Sequence, residues 1–184
     1  MGLRFSRRER PISLEDRATI VVVGGGPAGA LFAIRILRRA KGAARDIKVL
    51  VVERKPESQA VESASVALPR EGCNYCAGGI SPRLADILND IGLTLPEEVL
   101  QSRVRSLTVH GDWKNIELPI PRGRTMLSVF RGSRPRHRTA RHVNFDSFLL
   151  HKAAEEGAEI VTGEVYEVCS SVSGKPLVKY RVSE

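Results

Sequence analysis

The first clear pattern along the chain is two short apolar runs separated by a glycine-rich turn and a mostly apolar stretch. Residues 19–23 (TIVVV) and 47–52 (IKVLVV) are β-branched runs typical of strands that are buried on both faces. Residues 30–42 between them have one polar stripe, which predicts a helix packed on a sheet, with Gly42 as its C-cap. This order predicts a parallel strand pair joined by a crossover helix.

The middle of the chain has a different pattern. Residues 56–79 have the composition of a loop, and helices are predicted over 82–91 and, shorter, over 96–101. Alternating apolar and polar positions predict three short antiparallel strands, at 105–111, 114–120 and 125–132. The strand–helix–strand unit is therefore not followed by further units of the same kind.

The last part of the chain predicts one more helix and a hairpin. Asn144 or Asp146 can cap the helix at its start, and Gly157 ends it. Strands are predicted within 158–171 and 176–182, with a turn between them.

Composition and charge narrow the class of protein. The chain of 184 residues is 42% apolar and 27% charged, which is typical of a globular protein. It has no apolar run near the roughly 20 residues that cross a bilayer and no signal-peptide core, and three cysteines fit a reducing compartment. We therefore expect a cytoplasmic protein.

The net charge of +8 is concentrated in a basic tail, residues 1–18, and in the Arg-rich segment 131–141. Neither has the interleaved aromatic residues of a single-strand binder or a groove-reading helix, so we expect no nucleic-acid partner. A weak attraction to anionic lipid head groups, at the periphery of a membrane, is the secondary expectation.

The glycine-rich turn has the spacing of a dinucleotide-binding site. Gly24, Gly26 and Gly29 form a GxGxxG pattern between a predicted strand and a predicted helix, which is the context that makes the pattern informative. Gly24 permits the tight turn, Gly26 permits close approach of a pyrophosphate, and Gly29 permits close helix–strand packing. Pro27 fits the first helical position, and the free N–H groups near Ala28 face the diphosphate.

An acidic residue follows at the end of the second predicted strand. The carboxylate of Glu53 can accept hydrogen bonds from ribose hydroxyls and repels a 2′-phosphate, so the pattern favours FAD or NAD over NADP. Arg54 comes directly after it. The alternative is a glycine-rich turn and a surface glutamate with no ligand.

The stretch 71–81 (EGCNYCAGGIS) contains a Cys-x-x-Cys pair, for which three interpretations stay open. A structural zinc site needs four ligands, but Cys73 and Cys76 supply one pair, and His137 and His142 lie far along the chain in an Arg-rich stretch. A reactive dithiol needs its first cysteine at a helix N-terminus, and the next helix begins only near Ser81. The third interpretation is a loop at a flat cofactor, and the alternative to all three is an ordinary surface turn with two unreactive thiols.

Three segments carry a resemblance to known flavoproteins. Residues 21–37 with 49–55 (VVVGGGPAGALFAIRIL, VLVVERK) resemble the amino-terminal FAD motif of glutathione-reductase-like flavoproteins. Residues 141–168 (RHVNFDSFLLHKAAEEGAEIVTGEVYEV) are similar to a segment of aromatic hydroxylases and geranylgeranyl reductases. Residues 76–81 (CAGGIS) resemble a cysteine-containing glycine loop of geranylgeranyl-reductase-like flavoproteins.

The resemblance implies further site residues. Arg141 would lie near the flavin edge and Val165 near the adenine. The CAGGIS loop would lie at the flavin, with Gly78 and Gly79 allowing close backbone approach to the ring. Cys76 would then be the candidate catalytic residue, and Ala77 and Ile80 complete the loop's cofactor-binding set.

The resemblance implies a Rossmann-like FAD/NAD(P)-binding α/β fold of the three-layer ββα type, incomplete and with inserted antiparallel strands. Residues 19–184 would be the amino-terminal part of an FAD-binding domain, and 96–135 the start of a substrate or middle-sheet region. Members of these families carry a further Gly–Asp motif, so a chain ending at Glu184 is expected to be a fragment.

The implied function is that of an FAD-dependent oxidoreductase. The implied chemistry is hydride transfer, such as reduction of prenyl double bonds, with NAD(P)H as electron donor and a small or lipid-like substrate. The alternatives are a monooxygenase of the aromatic-hydroxylase type, a non-catalytic nucleotide- or anion-binding module, and a plain NAD-binding domain.

Overall fold

The computed structural model describes residues 13–54, 57–58, 68–69, 78–121, 124–131, 144–172 and 174–182. The helices are α1 (Pro27–Gly42), α2 (Pro82–Asp90) and α3 (Phe145–Glu155). The strands are β1 (Ala18–Val23), β2 (Ile47–Glu53), β3 (Glu57–Ser58), β4 (Leu68–Pro69), β5 (Gly79–Ile80), β6 (Leu100–Val104), β7 (Ser106–His110), β8 (Asn115–Pro119), β9 (Met126–Val129), β10 (Glu159–Ser170) and β11 (Pro176–Val182). The fold is a mixed α/β one with parallel and antiparallel sheets.

The main sheet has the strand order β1-β2-β10-β11. Strands β1 and β2 are parallel, with Val23 opposite Val52, and α1 connects them, so the predicted strand–helix–strand unit is confirmed. Strand β10 is parallel to β2 up to Thr162, which lies opposite Glu53, and then pairs antiparallel with β11. The carboxyl ends of β1 and β2 thus lie beside the middle of β10.

The core lies between this sheet and helices α1 and α3. The two helices contact each other, and both supply small or aliphatic side chains that are fully buried, such as Ala33, Ile34 and Leu149. On the sheet side, Val49 and Val51 are fully buried. Burying each such aliphatic side chain contributes roughly 1.5–3 kcal/mol. This packing places Leu150 of α3 against the turn that precedes α1.

Two smaller sheets come from the middle of the chain. One has the order β5-β9-β6, and the other is the hairpin β7–β8, whose apolar side chains are largely exposed. The predicted strands at 105–111, 114–120 and 125–132 correspond to β7, β8 and β9, and the helix predicted over 82–91 is α2. Among the described residues, no helix is both long enough and apolar enough to cross a membrane.

Two local predictions are wrong. Residues 96–101 do not form a helix, since one turn closes from Val99 N–H to Pro96 O at 3.0 Å and the chain then extends into β6. Gly42 is the last helical residue of α1 and not its cap, which is Ala43. The left-handed residue after the helix is Ala44, with φ of 50°.

The start of α3 decides between the two predicted caps. The Asn144 side chain accepts a hydrogen bond from Ser147 N–H at 2.6 Å, so Asn144 is the N-cap. Asp146 lies in the first turn, where a carboxylate interacts favourably with the helix dipole. Gly157, with φ of 107°, follows the end of the helix as predicted.

Candidate functional site

The glycine turn between β1 and α1 is left open at two of its residues. Gly24 has φ of 94°, a conformation that favours glycine, and its N–H donates to Val52 O at 2.8 Å. Gly26 is the N-cap of α1, with Pro27 as the first helical residue and Ala28 exposed. A Cβ added at Gly24 or Gly26 would meet no atom of the described residues within 4 Å. Among the described residues, none therefore fills the space before the helix N-terminus.

Gly29 is required by the protein itself. A Cβ at Gly29 would overlap the Gly24 carbonyl oxygen and lie 3.1 Å from Val22 Cγ1. Gly29 thus occupies a position where α1 packs tightly on the end of β1, which is the packing use that its place in the pattern indicates.

Gly25 lies at the centre of the turn, and sequence reasoning missed it. Its N–H donates a buried hydrogen bond of 2.6 Å to Glu53 Oε2. A Cβ at Gly25 would lie 2.8 Å from Leu150 Cδ2 of α3 and 3.2 Å from Glu53 Cβ. The available signal in the sequence was that Gly25 is a glycine at all, because the GxGxxG pattern allows any residue at this position.

A cleft of about 270 Å³ opens at the carboxyl ends of β1 and β2, beside this turn. Its lining consists of the ends of β1 and β2, the residues that directly follow them and the middle of β10: Val23, Gly24, Val52, Glu53, Arg54, Gly163, Glu164 and Val165. Ligands of open α/β sheets bind at this edge. The volume lies just below the roughly 300–1,000 Å³ of ligand pockets, so the cleft fits part of a dinucleotide.

Four of the predicted cofactor-binding residues, Gly24, Glu53, Arg54 and Val165, therefore lie together in the cleft, and the unpredicted Glu164 lies beside them. Glu53 is 8% exposed, Arg54 and Glu164 are exposed, and Val165 is half-buried. Two carboxylates with aliphatic side chains suit a ribose and a flat base. The two carboxylates repel an additional phosphate, whereas the Arg54 cation in the same cleft attracts one.

The second glycine-rich segment lies elsewhere. Gly78 has φ of 64°, its carbonyl oxygen accepts from Val129 N–H at 2.8 Å, and a Cβ there would overlap Val129 O. Gly79 pairs with Ser128 in β9, and Ile80 is buried. None of these three residues lines the cleft. The close backbone approach at Gly78 is thus made to β9.

The remaining predicted residues of that loop and of the flavin edge lie outside the described residues. These are Cys73, Cys76, Ala77 and Arg141, together with His137 and His142. Within the part of the chain that the structure describes, no group of three or more potential metal ligands comes together. The three interpretations of the Cys-x-x-Cys pair therefore stay predictions.

One ion pair beside the site was not predicted. Arg131 donates from Nε to Asp146 Oδ1 at 2.7 Å and from Nη2 to Oδ2 at 2.9 Å, and Asp146 is 7% exposed. Phe145 N–H also donates to Phe130 O at 2.8 Å. These bonds attach the end of β9 to the start of α3. Arg131, grouped by sequence with a solvated Arg-rich segment, is instead half-buried and paired.

No family model and no curated protein matches the chain. Among solved structures, the chain is similar to the flavin-dependent brominase Bmp2, with 19% identity and a TM-score of 0.58, over 92% of this chain and 34% of that one. A triple mutant of Bmp2 has 18% identity and a TM-score of 0.60, over 91% and 35%. The peptidyl tryptophan dihydroxylase QhpG, essential for tryptophylquinone cofactor biogenesis, has 26% identity over 90% and 30%, but at a TM-score of 0.46 it supports no argument.

The chain thus spans about a third of the length of the brominase structures that it matches. At this level of identity the likeness concerns the fold alone. The chain has a mixed α/β fold of the kind found in a flavin-dependent enzyme.

Proposed function

We propose that the chain is the amino-terminal part of an FAD-binding oxidoreductase, with a Rossmann-like fold of the three-layer ββα type. The observation that carries the proposal is the open glycine turn at the start of α1, which shares a cleft with Glu53. The turn would hold the diphosphate on free N–H groups, because a helix N-terminus attracts anions. The cleft would hold the adenosine, with Glu53 near the ribose and Val165 near the adenine.

FAD is proposed over a nicotinamide cofactor for two reasons. The helical crossover is followed by small antiparallel sheets before α3 and β10 return to the main sheet. The fold is also similar to that of a flavin-dependent brominase. NAD(P)H is proposed as electron donor, and residues 96–135 as the beginning of a substrate region.

Two reaction classes are proposed for the whole enzyme, and both use flavin redox chemistry that the cofactor supplies. The resemblance of residues 76–81 favours hydride transfer, such as reduction of prenyl double bonds in a lipid-like substrate. The resemblance of residues 141–168 to aromatic hydroxylases and the similarity in fold to a flavin-dependent brominase favour a monooxygenase. We give this reaction class the same weight as the reductase. In both, the residues of this chain bind and orient the cofactor.

The first experiment is an absorbance spectrum of the purified chain, followed by titration with FAD, NAD⁺ and NADP⁺. We expect FAD to bind more tightly than the other two, and a full-length protein that is colourless and cannot be reconstituted with FAD would contradict the proposal. Salt-sensitive binding of nucleic acid without flavin would favour the non-catalytic anion-binding module instead.

The second experiment separates the two reaction classes in the flavin-loaded protein. NADPH oxidation is measured with and without oxygen, in the presence of an aromatic or a prenyl substrate. Oxygen consumption that depends on the aromatic substrate indicates the monooxygenase, and anaerobic saturation of the prenyl chain indicates the reductase.

A further inference from the structure

The glycine turn is tied to the end of β2 by two consecutive backbone amides. Gly24 N–H donates to Val52 O at 2.8 Å, and Gly25 N–H donates to Glu53 Oε2 at 2.6 Å. The second bond has a carboxylate as acceptor, and such bonds are shorter and roughly twice as strong as neutral ones. The course of the turn is thus linked to the side chain of Glu53.

Gly25 also packs closely against helix α3. Leu150 of α3 is 1% exposed, and its methyl groups lie so close that a Cβ on Gly25 would be 2.8 Å from Cδ2. The middle residue of the turn is therefore fixed by close contact with both Glu53 and Leu150, whereas no described residue lies within 4 Å of a Cβ built on Gly24 or Gly26. A turn fixed in this way does not need to be ordered when an anion binds.

We infer that Glu53 is a positioning residue for the anion-binding amides of the turn, in addition to any contact that it makes with a ribose. The inference rests on the proposed function insofar as the anion is the diphosphate of a dinucleotide. The buried carboxylate of Glu53 stabilises the geometry of the turn, although its negative charge repels a phosphate bound nearby.

Stabilisation of the turn by Glu53 should increase the affinity for an anion, and the negative charge of Glu53 should decrease it. Three substitutions separate these two effects. Glu53→Gln removes the charge but keeps an oxygen that can accept from Gly25 N–H. Glu53→Ala removes both the charge and the acceptor. Glu53→Asp keeps the charge but shortens the side chain by one methylene, so that the acceptor no longer reaches. A ribose ligand with no positioning role would leave binding of a ribose-free anion unaffected by the lost acceptor.

The test uses inorganic pyrophosphate as a ribose-free probe, with backbone amide NMR of the whole chain as readout. In the ligand-free wild type we expect slow hydrogen exchange at Gly25, retained in Glu53→Gln and at least tenfold faster in Glu53→Ala and Glu53→Asp. Pyrophosphate should bind Glu53→Gln at least as tightly as wild type. It should bind Glu53→Ala at least fivefold more weakly than Glu53→Gln, and Glu53→Asp most weakly.

Glu164→Gln is the matched control, because Glu164 lines the same cleft and loses the same charge. It should leave Gly25 exchange unchanged. Equal pyrophosphate affinity of Glu53→Ala and Glu53→Gln would overturn the inference. So would fast exchange of Gly25 in the wild type, or no effect of pyrophosphate on the wild-type Gly25 and Gly26 amides. If the expected pattern holds but FAD does not bind, the proposed function fails and the positioning role stands.

Discussion

The two glycine-rich turns of this chain, at 24–26 and at 78–79, look alike in sequence and serve different needs in the structure. A side chain at Gly26 would enter a space in front of a helix that no described residue fills, whereas a side chain at Gly78 would overlap the backbone of β9. In the first turn the missing side chain leaves room for something outside the protein. In the second, the protein itself occupies that room.

This difference changes the meaning of a mutation at either turn. The sequence suggests that Gly78 and Gly79 allow a cofactor ring to approach, and under that hypothesis a substitution at Gly78 should reduce flavin binding. The structure adds a prior requirement, because Val129 O already lies where the Cβ would be. Loss of flavin from a Gly78 variant therefore cannot by itself identify a flavin contact.

The largest expected effect is on folding. Gly78→Ala places a residue with a side chain at φ of 64° and against Val129 O, so we expect the free energy of unfolding to fall by about 3 kcal/mol or more. Urea denaturation without ligand measures it. Gly79→Ala is the control, since its Cβ would lie 3.6 Å from Met126 Cε, an ordinary contact. Equal stability of the two variants would remove the distinction between the turns.

Gly26→Ala should show the opposite pattern. Gly26 has φ of −64° and open space, so stability should change by no more than about 0.5 kcal/mol. FAD affinity should nevertheless fall at least about tenfold, or 1.4 kcal/mol, because the new methyl group displaces the diphosphate. Gly42→Ala, also in open space but at the far end of α1, is the control and should bind FAD normally. Normal FAD binding by Gly26→Ala would refute the ligand role of this turn.

A smaller effect is expected from acid, at the helix pair behind the first turn. Glu156 bonds to Arg38 Nε at 2.6 Å and to Lys41 Nζ at 3.2 Å, which joins the end of α3 to α1. Burial raises the pKa of Glu156, but the hydrogen bonds and charges of Arg38 and Lys41 outweigh burial, and its pKa is lowered overall. The stabilisation is present above the unfolded pKa of about 4.3 and is lost as pH falls through the lower folded value.

Glu156→Gln should therefore lower stability by about 1 kcal/mol near pH 7 and by progressively less below about pH 4. Thermal unfolding across this pH range measures the difference. The β5–β9 pairing at the second turn contains no such ion pair among its described residues. The loss of unfolding free energy in Gly78→Ala should therefore be the same near pH 7 and below about pH 4. If Glu156→Gln is still less stable than the wild type in acid, the stabilisation does not come from the ionised carboxylate of Glu156.

The smallest effect is expected at Cys73, which lies outside the described residues. If the informative part of the loop is 76–81, Cys73→Ser leaves FAD affinity unchanged within about twofold, a few tenths of a kcal/mol. A fluorescence titration of flavin compares it with Cys76→Ser. An equal loss of FAD affinity in both variants would favour the dithiol interpretation of the loop.

Local patterns predicted the parts of the fold that are determined locally. The apolar runs of β1 and β2 and the glycine turn between them carry their own signals of burial and direction. Strand β6 carries no such signal, because its pairing with β9 depends on residues such as Val129, far along the chain. Pro96, Glu97 and Glu98 before it resemble the start of a helix, and only the tertiary pairing of β6 with β9 opposes this.

The site shows the same division. The acidic residue after β2 and the outer glycines follow from spacing, and Glu53, Gly24 and Val165 do line one cleft. The bond from Gly25 to Glu53 and the pair of Arg131 with Asp146 depend on which elements become neighbours in space. The Arg-rich composition of residues 131–141 does not indicate that Arg131 in particular forms an ion pair, because charge alone does not specify a partner.

The cleft has a further consequence during synthesis of the chain. One of its walls is β10, whose Thr162 lies opposite Glu53, so roughly a hundred residues must be added before β2 meets this neighbour. At translation rates of about 5–20 residues per second, the delay is roughly 5–20 s. During this time the outer edge of β2 is a free, strongly apolar strand edge that another nascent chain can pair with. The yield of native protein should therefore depend on how crowded the ribosomes are on its message.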